Sequence, residues 1–173
     1  MLLDYHRSVA AGGIGMTTVA YAAVTRSGLS FDRQLWMRPE IIPGLRELTD
    51  AIHAEGAAAG IQLGHCGNMS HKSICGCTPV GASGGFNLYS PTFVRGLRAD
   101  ELPEMARAYG RSVNLAREAG FDAVEIHAGH GYLISQFLSP STNHRKDEFG
   151  GSLQNRMRFM DMVMEEVIKL SLI

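Results

Sequence analysis

The fold is decided by the stretch LAREAGFDAVEI at residues 115–126. Here a helical segment ends in small residues and a glycine, and an apolar run follows at once. Two other stretches have the same order, SVAAGGIGMTTVAY at residues 8–21 and LTDAIHAEGAAAGIQL at residues 48–63. The glycines between helix and apolar run predict left-handed residues that end each helix. The chain therefore alternates helices with strands.

The three apolar runs lack a strict alternation of polar and apolar residues, which is typical of strands covered on both faces. Such strands are parallel and are joined by crossover helices. Apolar periodicity predicts helices near residues 41–55, 100–119 and 152–169. We expect an α/β protein of order α-β-α-β-α-β-α, with its chemistry at the carboxyl ends of the strands, in the loops after Tyr21, Leu63 and Ile126.

Composition excludes several classes of protein. The 173 residues include sixteen Lys and Arg against seventeen Asp and Glu, a formal charge of −1, and no basic run. Nucleic acid and anionic membranes are therefore not expected partners. No apolar stretch reaches the ~18 residues that a membrane helix needs. The three cysteines fall in one short window and form no disulfide framework, so we expect a cytoplasmic protein.

The densest group of polar side chains follows the third apolar run. His127 and His130 lie three residues apart, and Tyr132 follows among glycines. Two imidazole N–H groups that converge on one carbonyl oxygen would stabilise negative charge there, and the phenol could deliver a proton. The alternative is a structural histidine pair at a turn. The position after a parallel strand favours a catalytic role.

Gln62 lies inside the second apolar run, where its amide needs a hydrogen-bond partner. The edge of a bound heterocycle would satisfy it, although a structural amide bonded to nearby backbone is the commoner arrangement. No metal site is expected, because the cysteine and histidine spacing between residues 65 and 77 does not match that of zinc ligands. The glycine-rich dinucleotide fingerprint, the P-loop and the nucleophile elbow are also missing from the sequence.

A long motif supports a family resemblance. The run IHAGHGYLISQFLSP at residues 126–140 continues with NHR at 143–145, DEFGGS at 147–152 and NR at 155–156. It closely resembles the old yellow enzyme family of NAD(P)H:flavin oxidoreductases. The resemblance extends upstream through QLGH at 62–65 and GIGMTTVAY at 13–21, so it covers nearly the whole chain.

The resemblance implies a (β/α)8 barrel that binds FMN and takes hydride from NADH or NADPH. The hydride would pass to the β-carbon of an α,β-unsaturated carbonyl compound, a small-molecule substrate. Gln62 matches the residue that hydrogen-bonds the flavin pyrimidine ring. The backbone near Ala20 and Tyr21 matches a segment that passes the isoalloxazine.

The resemblance also assigns catalytic roles. His127 and His130 match the pair that binds the substrate carbonyl, and Tyr132 matches the tyrosine proposed to protonate the α-carbon. Two departures lie nearby. Many relatives have an arginine where this chain has Asn68, and an acidic residue followed by a small one where it has Ala20 and Tyr21. A subfamily with a different substrate would explain both.

A complete barrel has eight strands and typically ~250 residues, whereas three strands are expected here. The fold prediction is therefore a partial (β/α)8 TIM barrel, about strands 2–4 with helices 1–4, as one domain over residues 1–173. Unpaired strand edges would favour self-association. The alternative is that the chain is a truncated, catalytically inactive fragment of such an enzyme and needs the missing strands for activity. A non-flavin barrel such as an aldolase half would need a Schiff-base lysine, and none of the lysines lies in a predicted strand.

Overall fold

The computed structural model describes residues 1–88 and 90–171. In this part of the chain the helices are α1 (Leu2–Ala11), α2 (Ile42–Ala54), α3 (Lys72–Cys75), α4 (Leu102–Glu118), α5 (Leu133–Leu138) and α6 (Leu153–Ser171). The strands are β1 (Met16–Ala23), β2 (Ala58–Gly64), β3 (Val80–Gly81), β4 (Gly85–Asn87), β5 (Thr92–Gly96) and β6 (Ala123–Ile126). Tyr89, Leu172 and Ile173, which the predicted 1–173 domain includes, lie outside the described residues.

The main sheet has three strands in the order β1-β2-β6, and both pairings are parallel. Val19 of β1 lies opposite Ile61 of β2, and Gln62 of β2 lies opposite Glu125 of β6. The parallel sheet with crossover helices is therefore confirmed. Because parallel strands end on the same side, the loops after β1, β2 and β6 lie together.

The junction glycines behave as the sequence predicts. Gly13, Gly56 and Gly120 have φ values of +89°, +83° and +87°, each just after a helix. Gly12 instead keeps a right-handed helical conformation, with φ −73°. The left-handed residue after each of α1, α2 and α4 reverses the chain and directs it into the next strand.

The expectation that the strands are covered on both faces holds for β2, in which no residue is exposed, but it is wrong for β1 and β6. Helices α1, α2 and α4 pack against the sheet, and the side chains on that face, Val19, Ile61 and Leu63, are buried. On the opposite face Ala20 and Glu125 are exposed. The three apolar runs of the sequence contain many alanines and glycines. These residues occur at exposed as well as buried positions, so an apolar run does not by itself show that both faces of a strand are covered.

The segment between β2 and α4 contains structure that the sequence analysis treated as one long loop. It forms helix α3 and a second small sheet in which β5 pairs with β3 and β4. The Arg145 guanidinium donates to the carbonyl oxygens of Ala82 and Leu97 and ties this sheet to the loop before α6. The helix α5 was also missed. Elements of two to six residues are too short for a periodic signal.

The core lies between the main sheet and the long helices. Phe137 of α5 stacks on Phe159 of α6 with ring centroids 4.6 Å apart, and both rings are fully buried. Tyr109 of α4 is fully buried as well. In residues 1–88 and 90–171, no helix has the length and apolar composition required to cross a membrane.

A buried histidine connects the loops that follow all three strands of the main sheet. His65, just after β2, accepts a hydrogen bond at Nδ1 from the Gly67 backbone N–H at 2.9 Å. Its Nε2 lies 3.0 Å from the Ser27 hydroxyl in the loop after β1. Its carbonyl oxygen accepts from the Leu133 N–H at 2.9 Å, at the start of α5. Burial lowers the pKa of His65 from 6.5 to about 3, so the ring is neutral.

Protonation of His65 predicts how stability depends on pH. Below pH ~6.5 the unfolded chain binds a proton at this residue that the folded chain does not bind, so the free energy of unfolding falls as pH falls. The loss is about 1 kcal/mol per pH unit down to pH ~3. Burial also lowers the pKa of His6 and His127, which act in the same direction. Urea denaturation between pH 6.5 and about 5.5, where carboxylates are almost fully ionised, measures this slope.

The variant His65→Asn keeps a hydrogen-bond acceptor near Nδ1 and removes the titrating ring, so its slope should be smaller than that of the wild type. The variant His144→Asn changes an exposed histidine and should leave the slope unchanged. If the free energy of unfolding had the same slope against pH in the wild type and in His65→Asn, the low pKa assigned to His65 would be contradicted.

A second stability prediction concerns Tyr109. Within the described residues its hydroxyl is the one buried side-chain polar group without a hydrogen-bond partner. Such a group costs ~1–3 kcal/mol. The variant Tyr109→Phe should therefore raise the free energy of unfolding by about 1 kcal/mol. The control Tyr5→Phe, at a ring that is 62% exposed, should change little. A destabilised Tyr109→Phe would show that the hydroxyl is bonded in solution.

Candidate functional site

The candidate site lies at the carboxyl end of the main sheet. His127 is the first residue after β6, and its backbone N–H donates to the Leu63 carbonyl at 2.8 Å. This bond continues the parallel pairing of β2 and β6 by one residue beyond the strand. The His127 side chain is buried at 7% exposure, so its position is fixed by the sheet.

Four rings form a cluster, which we call the ring cluster: Tyr21, His127, His130 and Tyr132. The centroid of His127 lies 5.0 Å from those of His130 and Tyr132, and 6.0 Å from that of Tyr21. The centroids of Tyr21 and Tyr132 are 5.3 Å apart. The structure therefore brings together the three side chains predicted as catalytic, and His127 lies at the centre of the cluster.

The two imidazoles of the ring cluster are in direct contact. Nδ1 of His130 lies 3.3 Å from Nε2 of His127, so one nitrogen donates and the other accepts. Burial, and then the neighbouring His130, lower the pKa of His127, which keeps that ring neutral. A ligand oxygen that replaces this mutual contact could accept a hydrogen bond from both rings.

His130 is held in an uncommon backbone conformation. It is exposed, and its φ of +56° lies in the left-handed region that non-glycine residues seldom adopt. Gly131 follows with φ +70°. This tight turn brings the His130 ring back over His127. Strained residues of this kind cluster at functional sites, where the surrounding structure stabilises them.

Tyr21 contributes its side chain as well as its backbone, which sequence reasoning did not anticipate. Its hydroxyl donates to the Gly28 carbonyl at 3.0 Å, and burial raises its pKa, so the phenol stays protonated. A Cβ on Gly64 would lie 3.0 Å from the Tyr21 ring and 3.2 Å from Cβ of His127. Gly64 is therefore the small residue that allows these two side chains to approach each other.

Gln62 and Ala20 lie beside the ring cluster, on the open face of the sheet. The Gln62 Nε2 donates to Oε1 of Glu125 on the adjacent strand at 2.6 Å. The partner is thus a side chain, where the sequence analysis considered a heterocycle or backbone. Ala20 is exposed on the same face, since side chains alternate along a strand.

The donor set on this face fits a flavin ring. A flavin pyrimidine presents carbonyl acceptors and an N–H donor along one edge, and a primary amide offers the complementary N–H and C=O groups. Among the described residues, Nε2 is the only Gln62 side-chain atom with a hydrogen-bond partner. In that same part of the chain, no group of three or more His, Cys, Asp or Glu side chains could hold a metal ion.

A buried amide supports the loop that carries the ring cluster. Gln136 of α5 donates from Nε2 to the Gly131 carbonyl at 2.6 Å and to Oδ1 of Asn68 at 2.9 Å. Its Oε1 accepts from the Asn68 N–H at 3.2 Å. Sequence reasoning assigned no role to Gln136 or to His65. The available signal for Gln136 was a lone amide in the apolar run LISQFL at residues 133–138.

Comparison with known proteins identifies the family of the chain. The model of the NADH:flavin oxidoreductase / NADH oxidase family matches residues 1–171. A 4,4'-dithiodibutanoate disulfide reductase of Rhodococcus erythropolis is 40% identical over 166 residues, which are 96% of this chain and 41% of that protein. An NADPH dehydrogenase of Bacillus subtilis is 38% identical over 95% of this chain and 48% of that protein. The chain thus spans about half the length of these relatives.

Comparison with solved structures indicates the same family. The old yellow enzyme homologue of Zymomonas mobilis superposes with a TM-score of 0.90 and 31% identity, over 98% of this chain and 50% of that one. Morphinone reductase in complex with tetrahydroNAD superposes with a TM-score of 0.89 and 27% identity, over 98% and 51%. The prediction of a partial (β/α)8 barrel is confirmed. The chain belongs to the NADH:flavin oxidoreductase / NADH oxidase family, as its resemblance to the old yellow enzymes indicated.

Proposed function

We propose that the chain forms part of an FMN-dependent oxidoreductase of the old yellow enzyme type. Its substrate would be a small molecule with a carbon–carbon double bond activated by a carbonyl group, and its electron donor NADH or NADPH. The observation that carries the proposal is the contact between His127 and His130, at the carboxyl end of a parallel sheet and beside an open face with a free amide acceptor. Relatives named NADPH dehydrogenase support the electron donor.

FMN, when bound, supplies the hydride transfer, and the chain's own residues bind and polarise the substrate. The His127 and His130 N–H groups donate to the substrate carbonyl oxygen. Negative charge grows on that oxygen as hydride reaches the β-carbon, so these two bonds are stronger in the transition state than in the ground state. Tyr132, whose ring packs edge-on against His127, would deliver the proton to the α-carbon.

Gln62 would hold the flavin on the open face of the sheet. Its amide would exchange the Glu125 contact for hydrogen bonds to the pyrimidine ring, at the price of one charge-assisted bond. Ala20 leaves that face clear, because its side chain is a single methyl group. The backbone of Ala20 and Tyr21 would then pass beside the isoalloxazine.

A second candidate function follows from the edges of the sheet. Within the described residues, β1 and β6 each pair with one neighbouring strand, apart from a bridge between Ala23 and Trp36. Unpaired edges of this kind pair with other chains. The chain would then be inactive alone and would self-associate, or act only with a segment that supplies further strands. The single domain over residues 1–173 and the cytoplasmic location both stay predictions.

Flavin binding tests the first candidate. FMN fluorescence should be quenched when the purified chain is added, and Gln62→Ala should weaken binding about tenfold, the effect of one or two hydrogen bonds. The control is Gln154→Ala, at an exposed glutamine on α6. Sedimentation velocity on the same samples measures self-association.

A hybrid separates the two candidates. Residues 1–171 replace the matching segment of the Bacillus subtilis NADPH dehydrogenase. Binding of FMN to the hybrid but not to the chain alone would favour the second candidate function, in which the chain needs further strands. Equal binding by the wild-type and Gln62→Ala hybrids would contradict the role of Gln62.

The histidine pair makes a kinetic prediction. In whichever of these proteins binds FMN, His127→Ala or His130→Ala should lower kcat/KM for 2-cyclohexenone by about 10²–10³. The rate of flavin reduction by NADPH should change much less, because the histidine pair binds the carbonyl oxygen of the alkene substrate. The control is His53→Asn, at a histidine paired with Asp122 near the amino end of β6. Equal losses in both half-reactions would mean that the pair binds the flavin or supports the fold.

A further inference from the structure

A pair of thiols lies outside the ring cluster, in the sequence Cys75-Gly76-Cys77 at the end of α3. The two Sγ atoms are 3.6 Å apart. A disulfide bond is about 2.05 Å long, so the two sulfurs need to approach by roughly 1.5 Å to form one. Gly76 lies between them with φ +76° and folds the chain back on itself. The turn at Gly76 therefore holds the two thiols in direct contact.

The two thiols differ in access. Cys75 is buried at 2% exposure, whereas Cys77 is exposed. Cys77 lies in the wall of a cavity of about 550 Å³ that also includes Ser27, Arg95 and Arg98. A small molecule in this cavity can reach Cys77 but not Cys75. This asymmetry suits an accessible sulfur that attacks a disulfide from solvent and a protected sulfur that completes the exchange.

The two thiols also differ in acidity. Burial alone would raise the pKa of Cys75, but the Ser70 hydroxyl and the backbone and thiol of Cys77 lower it below its usual value. Burial and the adjacent Cys75 raise the pKa of Cys77. A negative charge on this coupled pair is therefore more favourable on Cys75 than on Cys77.

Arginine side chains stabilise the negative charge. The charges of Arg26 and Arg95 favour the thiolate of Cys77. A Cβ on Gly76 would lie only 3.1 Å from a terminal nitrogen of Arg26, so that guanidinium rests on the backbone between the two cysteines. These charges oppose the effect of burial and increase the fraction of Cys77 in the thiolate form, which is the form that attacks disulfides.

We propose that Cys75 and Cys77 form a redox-active dithiol that reduces small organic disulfides and becomes an intramolecular disulfide. Cys77 loses its proton to water, and its thiolate attacks one sulfur of RSSR. A Cys77–SR bond forms, the S–S bond of the ligand breaks, and RS⁻ leaves. RS⁻ takes a proton from water and departs as RSH.

In the second step Cys75 attacks Sγ of Cys77 and expels a second RS⁻, which is protonated by water. Two electrons pass from the two cysteines to the organic disulfide, and two RSH molecules are formed. A monothiol reverses the reaction and restores the pair. The exchange needs no flavin, so it is independent of the function proposed for the ring cluster.

The test uses the purified full chain in buffers of defined ratio of reduced to oxidised glutathione, followed by maleimide alkylation and intact mass spectrometry. As the oxidised form increases, the protein should lose two hydrogens and two alkylation sites, and peptide mapping should place the bridge between Cys75 and Cys77. Cys66 is fully buried and burial raises its pKa to about 12, so it should stay unmodified in the folded chain and report folding.

The outcomes are distinct. Free alkylation of both cysteines after oxidation, a stable glutathione adduct on wild-type Cys77, or a disulfide between two chains would each overturn the proposal. The variant Cys75→Ser should accumulate the Cys77 adduct, because the second step is blocked. The variant Cys77→Ser should leave Cys75 unmodified. A Cys77→Ser chain that still forms an adduct at Cys75 would reverse the order of attack and overturn the mechanism.

The charge of the probe tests the role of Arg26. The variant Arg26→Gln should slow oxidation by glutathione disulfide, which is anionic, roughly threefold, the size expected of one exposed charge. Oxidation by bis(2-hydroxyethyl) disulfide, which is neutral, should slow less. The control is Arg158→Gln, at an exposed arginine on α6. Equal rates for the wild type and Arg26→Gln with both probes would remove Arg26 from the proposal.

Discussion

The neutral imidazole of His65 is the interaction on which the arrangement of the site depends. Its Nδ1 accepts from Gly67, so its Nε2 carries the proton and donates to Ser27. Its carbonyl oxygen accepts from Leu133. One residue thus joins the loops after β1, β2 and β6. A second proton on the ring would place two N–H groups against each other at Nδ1, so the connection requires the neutral form.

The close approach of these loops depends on residues without side chains. A Cβ on Gly28 would lie 2.8 Å from the His65 ring, and one on Gly64 would press on both Tyr21 and His127. Gly67, with φ +62°, leaves no room for a Cβ beside the Gln136 amide. The glycines at the helix ends are therefore not the only glycines that the fold requires. Others permit the packing that assembles the ring cluster.

The sequence predicted the parts of the structure that are periodic or local. The alternation of helices and strands and the left-handed Gly13, Gly56 and Gly120 follow from patterns of a few residues each. The open face of the sheet was not anticipated, because alanine and glycine give the same apolar signal whether exposed or buried. The strands β3 and β4 and the helix α5 were missed because they contain only two to six residues each, too few for a periodic pattern.

The site was predictable to a similar degree. His127, His130 and Tyr132 could be recognised because they lie close together in the sequence. The Tyr21 side chain could not, since its neighbours are brought to it by β2 and β6 through tertiary packing. The same holds for His65, whose partners belong to three loops. Spacing along the chain carries no information about such contacts.

The most direct test of this account is the protonation state of His65, measured by nitrogen NMR of the histidine side chains at pH 5. The account predicts that His65 has one protonated nitrogen, Nε2, and one bare nitrogen, Nδ1, at a pH where an exposed histidine is mostly an imidazolium. A His65 ring protonated at both nitrogens would contradict the account, because Nδ1 could then not accept from Gly67. The three loops would have to be joined in another way.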